Sequence, residues 1–181
     1  SSTGPVQNPV KEGYSAGGSS SGSAALVGCG AVDMSIGGDQ AGSIRIPAAF
    51  SGVVGMKPTH GLVPYSGIMS MEVSIDHIGP MTNNVADNAL FLEVLAGPDG
   101  YDNRQRGMRA DTYTEELDRG VEGLRIGIID EGFGREESED AVDQAVLAAA
   151  DLLAGLGAKV EHISVPTHND IGNIYLPMIA E

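Results

Sequence analysis

Glycine constrains this chain before anything else does. It occurs 26 times in 181 residues, about twice the usual share of roughly 7%, and it is gathered into runs. Collagen is excluded, because the glycines do not recur at every third position. Disorder is excluded too, since hydrophobic residues make up 41% and charged residues 19%, enough for a packed body. Tryptophan is absent and aromatics total 4%. A core short of large rings depends on close backbone approach and aliphatic packing.

The run Gly17-Gly18-Ser19-Ser20-Ser21-Gly22-Ser23 taken alone reads as a flexible linker. Ala24-Ala25-Leu26-Val27-Gly28 follows directly, however, so the serines read as the first turn of a helix, where unpaired N–H groups gather and serine is a favoured cap. Residues 31–37 read as a buried strand, and Gly37 to Ser43 as a tight turn. A short helix from Ile44 to Phe50 follows, with Pro47 in its tolerant first turn. Residues 53–58 form a second short strand stopped by Pro58, and Asn84 to Ala96 has apolar positions at helical spacing.

Composition shifts near residue 100. Residues 1–100 carry 3 basic and 8 acidic side chains, whereas 101–181 carry 7 and 17. Residues 99–121 read as a charged loop with a helical turn. Beyond it, strand Leu124–Ile129, amphipathic helix Ser138–Leu156 with an acidic first turn, and strand Ala158–Ile163 make a βαβ unit, for which right-handed parallel pairing is the default. The class is α/β.

The formal net charge of -15 repels phosphate backbones and anionic lipid heads. No basic patch interrupts it, so neither nucleic acid nor a membrane is expected as a partner. No apolar run approaches the ~18 residues of a membrane span, and residues 1–15 lack the pattern of a signal peptide. The single cysteine, Cys29, has no intrachain partner, which points to a reducing cytoplasm. The chain opens Ser1-Ser2-Thr3-Gly4-Pro5 and closes at Glu181 inside a helical pattern; the expectation is a piece of a longer protein.

Ser43 follows a glycine-rich turn and precedes a helix. Such a turn exposes a hydroxyl and lets backbone N–H groups converge, which stabilises a developing oxyanion by ~3–4 kcal/mol per donor in known cases. Serine needs a base to act as a nucleophile, and spacing alone favours a plain helix cap at Ser43. The same holds for Ser19, Ser20 and Ser21, although two serine-bearing glycine turns so near each other can supply a nucleophile and a hydroxyl relay. The four histidines, His60, His77, His162 and His168, occupy ordinary structural or surface positions, although Asp76-His77 invites a Ser-His-Asp reading. No metal-ligand spacing, dinucleotide fingerprint or phosphate loop is present.

Three segments resemble the amidase signature family: residues 17–25, then Gly38-Asp39-Gln40-Ala41-Gly42-Ser43-Ile44-Arg45-Ile46-Pro47-Ala48, then Gly55-Met56-Lys57-Pro58-Thr59-His60-Gly61. Thr3-Gly4-Pro5 with Asn8-Pro9, and Asp76-His77-Ile78-Gly79-Pro80-Met81, extend the resemblance over about residues 3 to 105. The Gly-Asp-Gln turn looks most like bacterial amidases that accompany nitrile hydratases.

The resemblance implies a mixed β-sheet core with helices on both faces, in which residues 1–181 are the central part of one domain. Residues 1–105 would be its signature core and 106–181 an α/β segment. It also implies hydrolysis of a small carboxylic amide to acid and ammonia by a Ser–cis-Ser–Lys triad. Ser43 corresponds to the nucleophile and Ser19 to the bridging serine on a cis bond. Backbone N–H groups of Gln40, Ala41, Gly42 and Ser43 correspond to the oxyanion hole.

The family's lysine falls upstream of residue 1, so the isolated chain is expected to be inactive. Lys57 matches the Lys-Pro-Thr segment, not the base, and Lys11 lies in a loop. The family usually has glycine where Ala41 stands, a strained change if that position needs positive φ. Asp39 and Arg45 flank the turn as structural supports. No cofactor or metal is implied, and a homodimer is compatible. Two alternatives stand beside this reading. One is a glutamine-hydrolysing amidotransferase A-type subunit, whose turn usually reads Thr-Asp-Thr-Gly-Gly. The other is a non-catalytic binding or scaffold piece, for which the missing lysine speaks.

Overall fold

The computed structural model describes residues 4–179. Ser1, Ser2 and Thr3 at one end, with Ala180 and Glu181 at the other, lie outside the described residues. The chain divides into two compact units, one through Leu117 and one from Asp118.

In the first unit, α1 (Ser21–Gly28), β1 (Met34–Asp39), α2 (Arg45–Ser51), β2 (Val54–Gly55), β3 (His77–Thr82) and α3 (Val85–Leu95) follow in order. The sheet is antiparallel with order β1-β3-β2: Met34 faces Thr82 at one end of the β1–β3 ladder and Asp39 faces His77 at the other. The central strand, β3, is absent from the sequence reading because Gly79-Pro80 resembles a turn. Its register explains both residues. A Cβ on Gly79 would sit 1.9 Å from the Met56 carbonyl oxygen, so only glycine allows this approach. Pro80 accepts from Met56 N–H at 3.0 Å, just past the end of β2, and so its missing N–H falls where the β2 ladder has stopped.

The strand expected at 31–37 starts later and runs on to Asp39. Gly37 in β1 allows close packing, since a Cβ there would lie 2.9 Å from Ile44 Cγ1, and so does Gly55 in β2, where a Cβ would lie only 2.6 Å from Ala48 Cβ. Ile44, Ala24, Ala48 and Met81 form one buried cluster, which clamps α1 and α2 to β3. Leu62, Val63, Ile78 and Leu92 form a second, with Tyr65 and Tyr113 packed against it. Asn84 caps α3 by accepting from Asp87 N–H at 2.8 Å. Buried Asn88 then ties that helix to the sheet through Val54 O, Pro80 O and Thr82 Oγ1.

The second unit matches the expected βαβ order. Strands β4 (Arg125–Ile129) and β5 (Lys159–Ile163) pair in parallel, from Arg125 opposite Lys159 to Ile129 opposite Ile163, with α4 (Asp140–Gly155) between them. A short 3-10 turn and α5 (Ile171–Ile179) follow. No helix among the described residues is long and apolar enough to cross a membrane.

Candidate active site

The turn between β1 and α2 is built around one carboxylate. Asp39 is wholly buried. Its Oδ1 accepts from Gly42 N–H at 2.7 Å and its Oδ2 from Ile44 N–H at 3.1 Å. Arg45, on the first turn of α2, reaches back with Nε at 2.9 Å and Nη2 at 2.9 Å, the pairing anticipated from their spacing. Burial alone would raise the Asp39 pKa, but the Arg45 guanidinium and the two backbone N–H groups outweigh it and hold the carboxyl below its ordinary value.

Ser43 stands on this braced turn, half-buried. The cap position of α2 belongs to Ile44, and no side chain caps that helix, so the plain cap reading of Ser43 is not what the structure contains. Gly42 has φ +126°, and a Cβ there would lie 2.6 Å from Ile46 Cδ1. No non-glycine residue among those described has positive φ, so Ala41 fits its place without the strain that a left-handed backbone would impose.

The second turn closes on the first. Gly17 has φ +76°, and a Cβ on it would strike the Pro47 backbone at 2.8 Å. The Gly18–Ser19 peptide bond is cis, the form that the resemblance implies there. Next to it, Ser20 N–H donates to Ser43 O at 3.2 Å. Ser20 Oγ also accepts from Gly38 N–H at 3.1 Å and donates to Gly38 O at 3.2 Å. Ser20 is the cap residue of α1 yet makes no side-chain cap bond; its hydroxyl joins α1 to β1 instead. Ser19 is exposed. The hydroxyls of Ser19 and Ser43 make no hydrogen bond among the described residues, which leaves both available to a reacting group.

The four backbone donors nominated by resemblance are not equivalent. Gly42 N–H is committed to Asp39. Those of Gln40, Ala41 and Ser43 have no acceptor among the described residues. The Gln40 side chain is held from outside the turn: its Nε2 donates to Asp76 Oδ1 at 2.7 Å and to Tyr65 Oη at 3.4 Å. Tyr65 in turn lies under the Arg104 guanidinium, 4.8 Å from the ring centroid, and its N–H donates to Asp102 Oδ2 at 2.9 Å. Burial, with the Asp76 charge, pushes the Tyr65 hydroxyl pKa up. Sequence reasoning missed Tyr65, Arg104 and Asp102 altogether, and it did not single out Ser20 from the serines around it.

Asp76-His77 does not form a relay. Asp76 turns to Gln40, Ser70 and the N–H groups of Met71 and Glu72. His77 Nδ1 faces two carbonyls, Ile75 O at 2.7 Å and Asp39 O at 3.2 Å, and therefore carries the proton. His60 packs edge-on against it with ring centroids 5.3 Å apart. His162 binds Asp130 on an exposed strand of the other unit. Lys11 lies over the Tyr14 ring, and Lys57 Nζ donates to Pro58 O at 2.9 Å. Among the described residues no three His, Cys, Asp or Glu side chains converge on a point that could hold a metal ion.

Comparison with known proteins adds the lineage. The profile of the family described as Amidase matches residues 1–181. An enantioselective amidase of Rhodococcus rhodochrous is 51% identical over 170 residues, which cover 92% of this chain and 32% of the relative. The A-type subunit of a glutamyl-tRNA(Gln) amidotransferase of Synechococcus sp. (strain CC9311) is 45% identical over 170 residues, 94% of this chain and 35% of the relative. The crystal structure of the same kind of subunit from Thermotoga maritima superposes with a TM-score of 0.91 at 36% identity, covering 97% of this chain and 38% of that one. The chain thus spans about a third of the length of the curated relatives it matches.

Proposed function

This chain belongs to the amidase family, and on that premise we propose that it carries the nucleophile half of an enzyme that hydrolyses a carboxylic amide to the acid and ammonia. The observation that carries the reading is the Asp39-braced turn. It sets Ser43 beside the Ser19–Ser20 turn, with backbone N–H groups of the same turn left unpaired and the Ser43 hydroxyl unengaged.

In this reading Ser43 Oγ attacks the amide carbonyl while its proton passes through Ser19 Oγ to a neutral lysine, contributed by the part of the domain that precedes residue 1. The N–H groups of Gln40, Ala41 and Ser43 hold the oxyanion, with Gly42 retained by Asp39 to shape the turn. The proton returns through Ser19 to the leaving nitrogen, ammonia departs, and water releases the acid from the acyl-serine. A lysine serves as base only if its pKa is brought well below ~10.4. No cofactor takes part. A neutral small amide, a cytoplasmic setting and a single domain running beyond both ends of residues 1–181 belong to the same reading.

The test is labelling by a fluorophosphonate probe in the complete enzyme. Ser43 should carry the adduct, and Ser43→Ala should lower kcat by about 10³-fold or more. An adduct elsewhere, or near-normal hydrolysis by Ser43→Ala, overturns the assignment. The 181-residue chain alone should show little turnover, and robust turnover would refute the upstream base.

A second reading is favoured by the identity of 45% to one amidotransferase A-type subunit and by the TM-score of 0.91 to another: glutamine as the amide and transfer of the ammonia to a partner's substrate. Glutamine supplied with the partner protein and mischarged tRNA separates the two, since only this reading produces a transferred amide.

A further inference from the structure

Asp76 does no chemistry in the reaction above, yet it is almost completely buried and is the best-connected carboxylate beside the turn after Asp39. It accepts from Gln40 Nε2 at 2.7 Å, Ser70 Oγ at 2.5 Å, Met71 N–H at 3.1 Å and Glu72 N–H at 3.2 Å. Its own carbonyl oxygen is held by Arg104 Nη1 at 3.1 Å. Arg104 is fixed in turn by a bidentate pair with Asp102, Nε on Oδ1 at 2.9 Å and Nη2 on Oδ2 at 2.6 Å, and Asp102 also receives Tyr65 N–H. The Tyr65 hydroxyl takes the second Gln40 contact. The Gln40 amide is thus oriented without ambiguity: a carboxylate only accepts, so the nitrogen must face Asp76.

Gln40 differs from its neighbours in the turn. Asp39 fixes the stretch from Gly42 to Arg45 from inside, but no bond of Asp39 reaches the Gln40 or Ala41 N–H groups. The Gln40 N–H shares its peptide group with the Asp39 carbonyl, which His77 Nδ1 holds at 3.2 Å; on the other side of its Cα, the Gln40 side chain is the anchor. A donor shifted by about 1 Å can cost a reaction about 100-fold.

We propose that Asp76 is a positioning residue of the nucleophile turn, holding the Gln40 side chain and through it the Gln40 backbone N–H toward the oxyanion. This rests on the assignment of Ser43 as nucleophile. The Asp76 carboxylate touches no reacting atom; it acts only through Gln40, with Tyr65 as the second anchor.

The discriminating variant is Gln40→Glu in the complete enzyme, which sets two carboxylates face to face where an amide met a carboxylate. A shared proton restores that contact, so the loss depends on pH. At pH 8 the variant should lose about 10- to 100-fold in kcat with KM within about 3-fold, and the loss should shrink as pH falls. Gln40→Glu combined with Asp76→Asn rebuilds the pair with donor and acceptor exchanged and should recover kcat at pH 8. Gln40→Met leaves Asp76 its Ser70, Met71 and Glu72 donors, keeps the fold, and should lower kcat at every pH.

Wild-type kcat and pH profile in both Gln40 variants overturn the proposal. So does a loss in Gln40→Glu that neither pH nor the second substitution restores. Fluorophosphonate labelling of Ser43 in the parent enzyme keeps the two failures apart. If the parent does not label, the nucleophile assignment has failed; if it labels and the Gln40 variants behave as the parent, only the positioning role has.

Discussion

Replacing Asp39 by asparagine tests the architecture of the turn directly. The side chain keeps its shape, but an amide offers one acceptor oxygen where the carboxylate offers two. The better orientation leaves oxygen at the Oδ2 position, where Ile44 N–H, Arg45 N–H and Arg45 Nε converge. The amide nitrogen then points at Gly42 N–H and Arg45 Nη2, formerly bonded at 2.7 and 2.9 Å, and two donors face a donor. Gly42 is buried, so its N–H cannot turn to water, and an orphaned buried donor costs about 1–3 kcal/mol. The Arg45 side chain is 52% exposed and re-solvates, so losing the ion pair adds only about 0–1 kcal/mol. The expected destabilisation is about 1–4 kcal/mol, read as a shift of the urea midpoint at pH 7 with the slope unchanged. A change below about 0.5 kcal/mol, the ordinary range of a surface substitution, would refute the claim that this carboxylate organises the turn.

The two positions before Ser43 should respond oppositely to exchange. Gly42→Ala forces a side chain into φ +126° against Ile46 and should cost about 1–3 kcal/mol, whereas Ala41→Gly should cost no more than about 1 kcal/mol, through the unfolded chain. Equal effects in unfolding experiments would contradict the backbone described. Stability should also fall with acid in two stages. Burial, helped by nearby Lys57 and His60, lowers the His77 pKa against the pull of its two carbonyl partners, so the folded state disfavours the proton and stability is lost as pH drops below ~6.5. The carboxyls come later. Arg104 holds Asp102 far below the usual carboxylate range; hydrogen bonds outweigh burial at Asp39 and Asp76. Their contribution is complete above ~3.9 and disappears as pH falls through each lowered pKa. Urea midpoints taken from pH 8 to 2 follow the first stage fully and the second through its onset, and His77→Gln should remove only the first.

Periodic segments were legible in the sequence, and contacts between distant residues were not. The β4–α4–β5 unit could be read because its apolar spacing and glycine stops are local signals. The Asp39–Arg45 pair was equally accessible, as six residues across one turn leave little choice of partner. Strand β3 was hidden because the properties of Gly79-Pro80 that suit it to this sheet are set by Met56 on a neighbouring segment. Asp76 drew attention as part of a matching segment and for its neighbour His77, whereas its partner Gln40 lies 36 positions away. Ser43 and Ser19 were assigned by resemblance, not by spacing, because serine before a helix usually does nothing more than cap it. The structure removes that simpler reading at Ser43 by giving the cap position to Ile44.

The bond between Gln40 and Asp76 also bears on how such turns can be exchanged by engineering. A Thr-Asp-Thr-Gly-Gly turn grafted in place of residues 38–42 would put at position 40 a side chain too short to span to Asp76 or Tyr65. Asp76 would keep its loop donors and its carbonyl contact with Arg104, but neither Asp76 nor Tyr65 would reach the side chain at position 40. The transplantable module is therefore not the five-residue motif. It is the turn together with positions 65, 70–76 and 102–104, and a graft that ignores them leaves position 40 without the partners that hold Gln40 here.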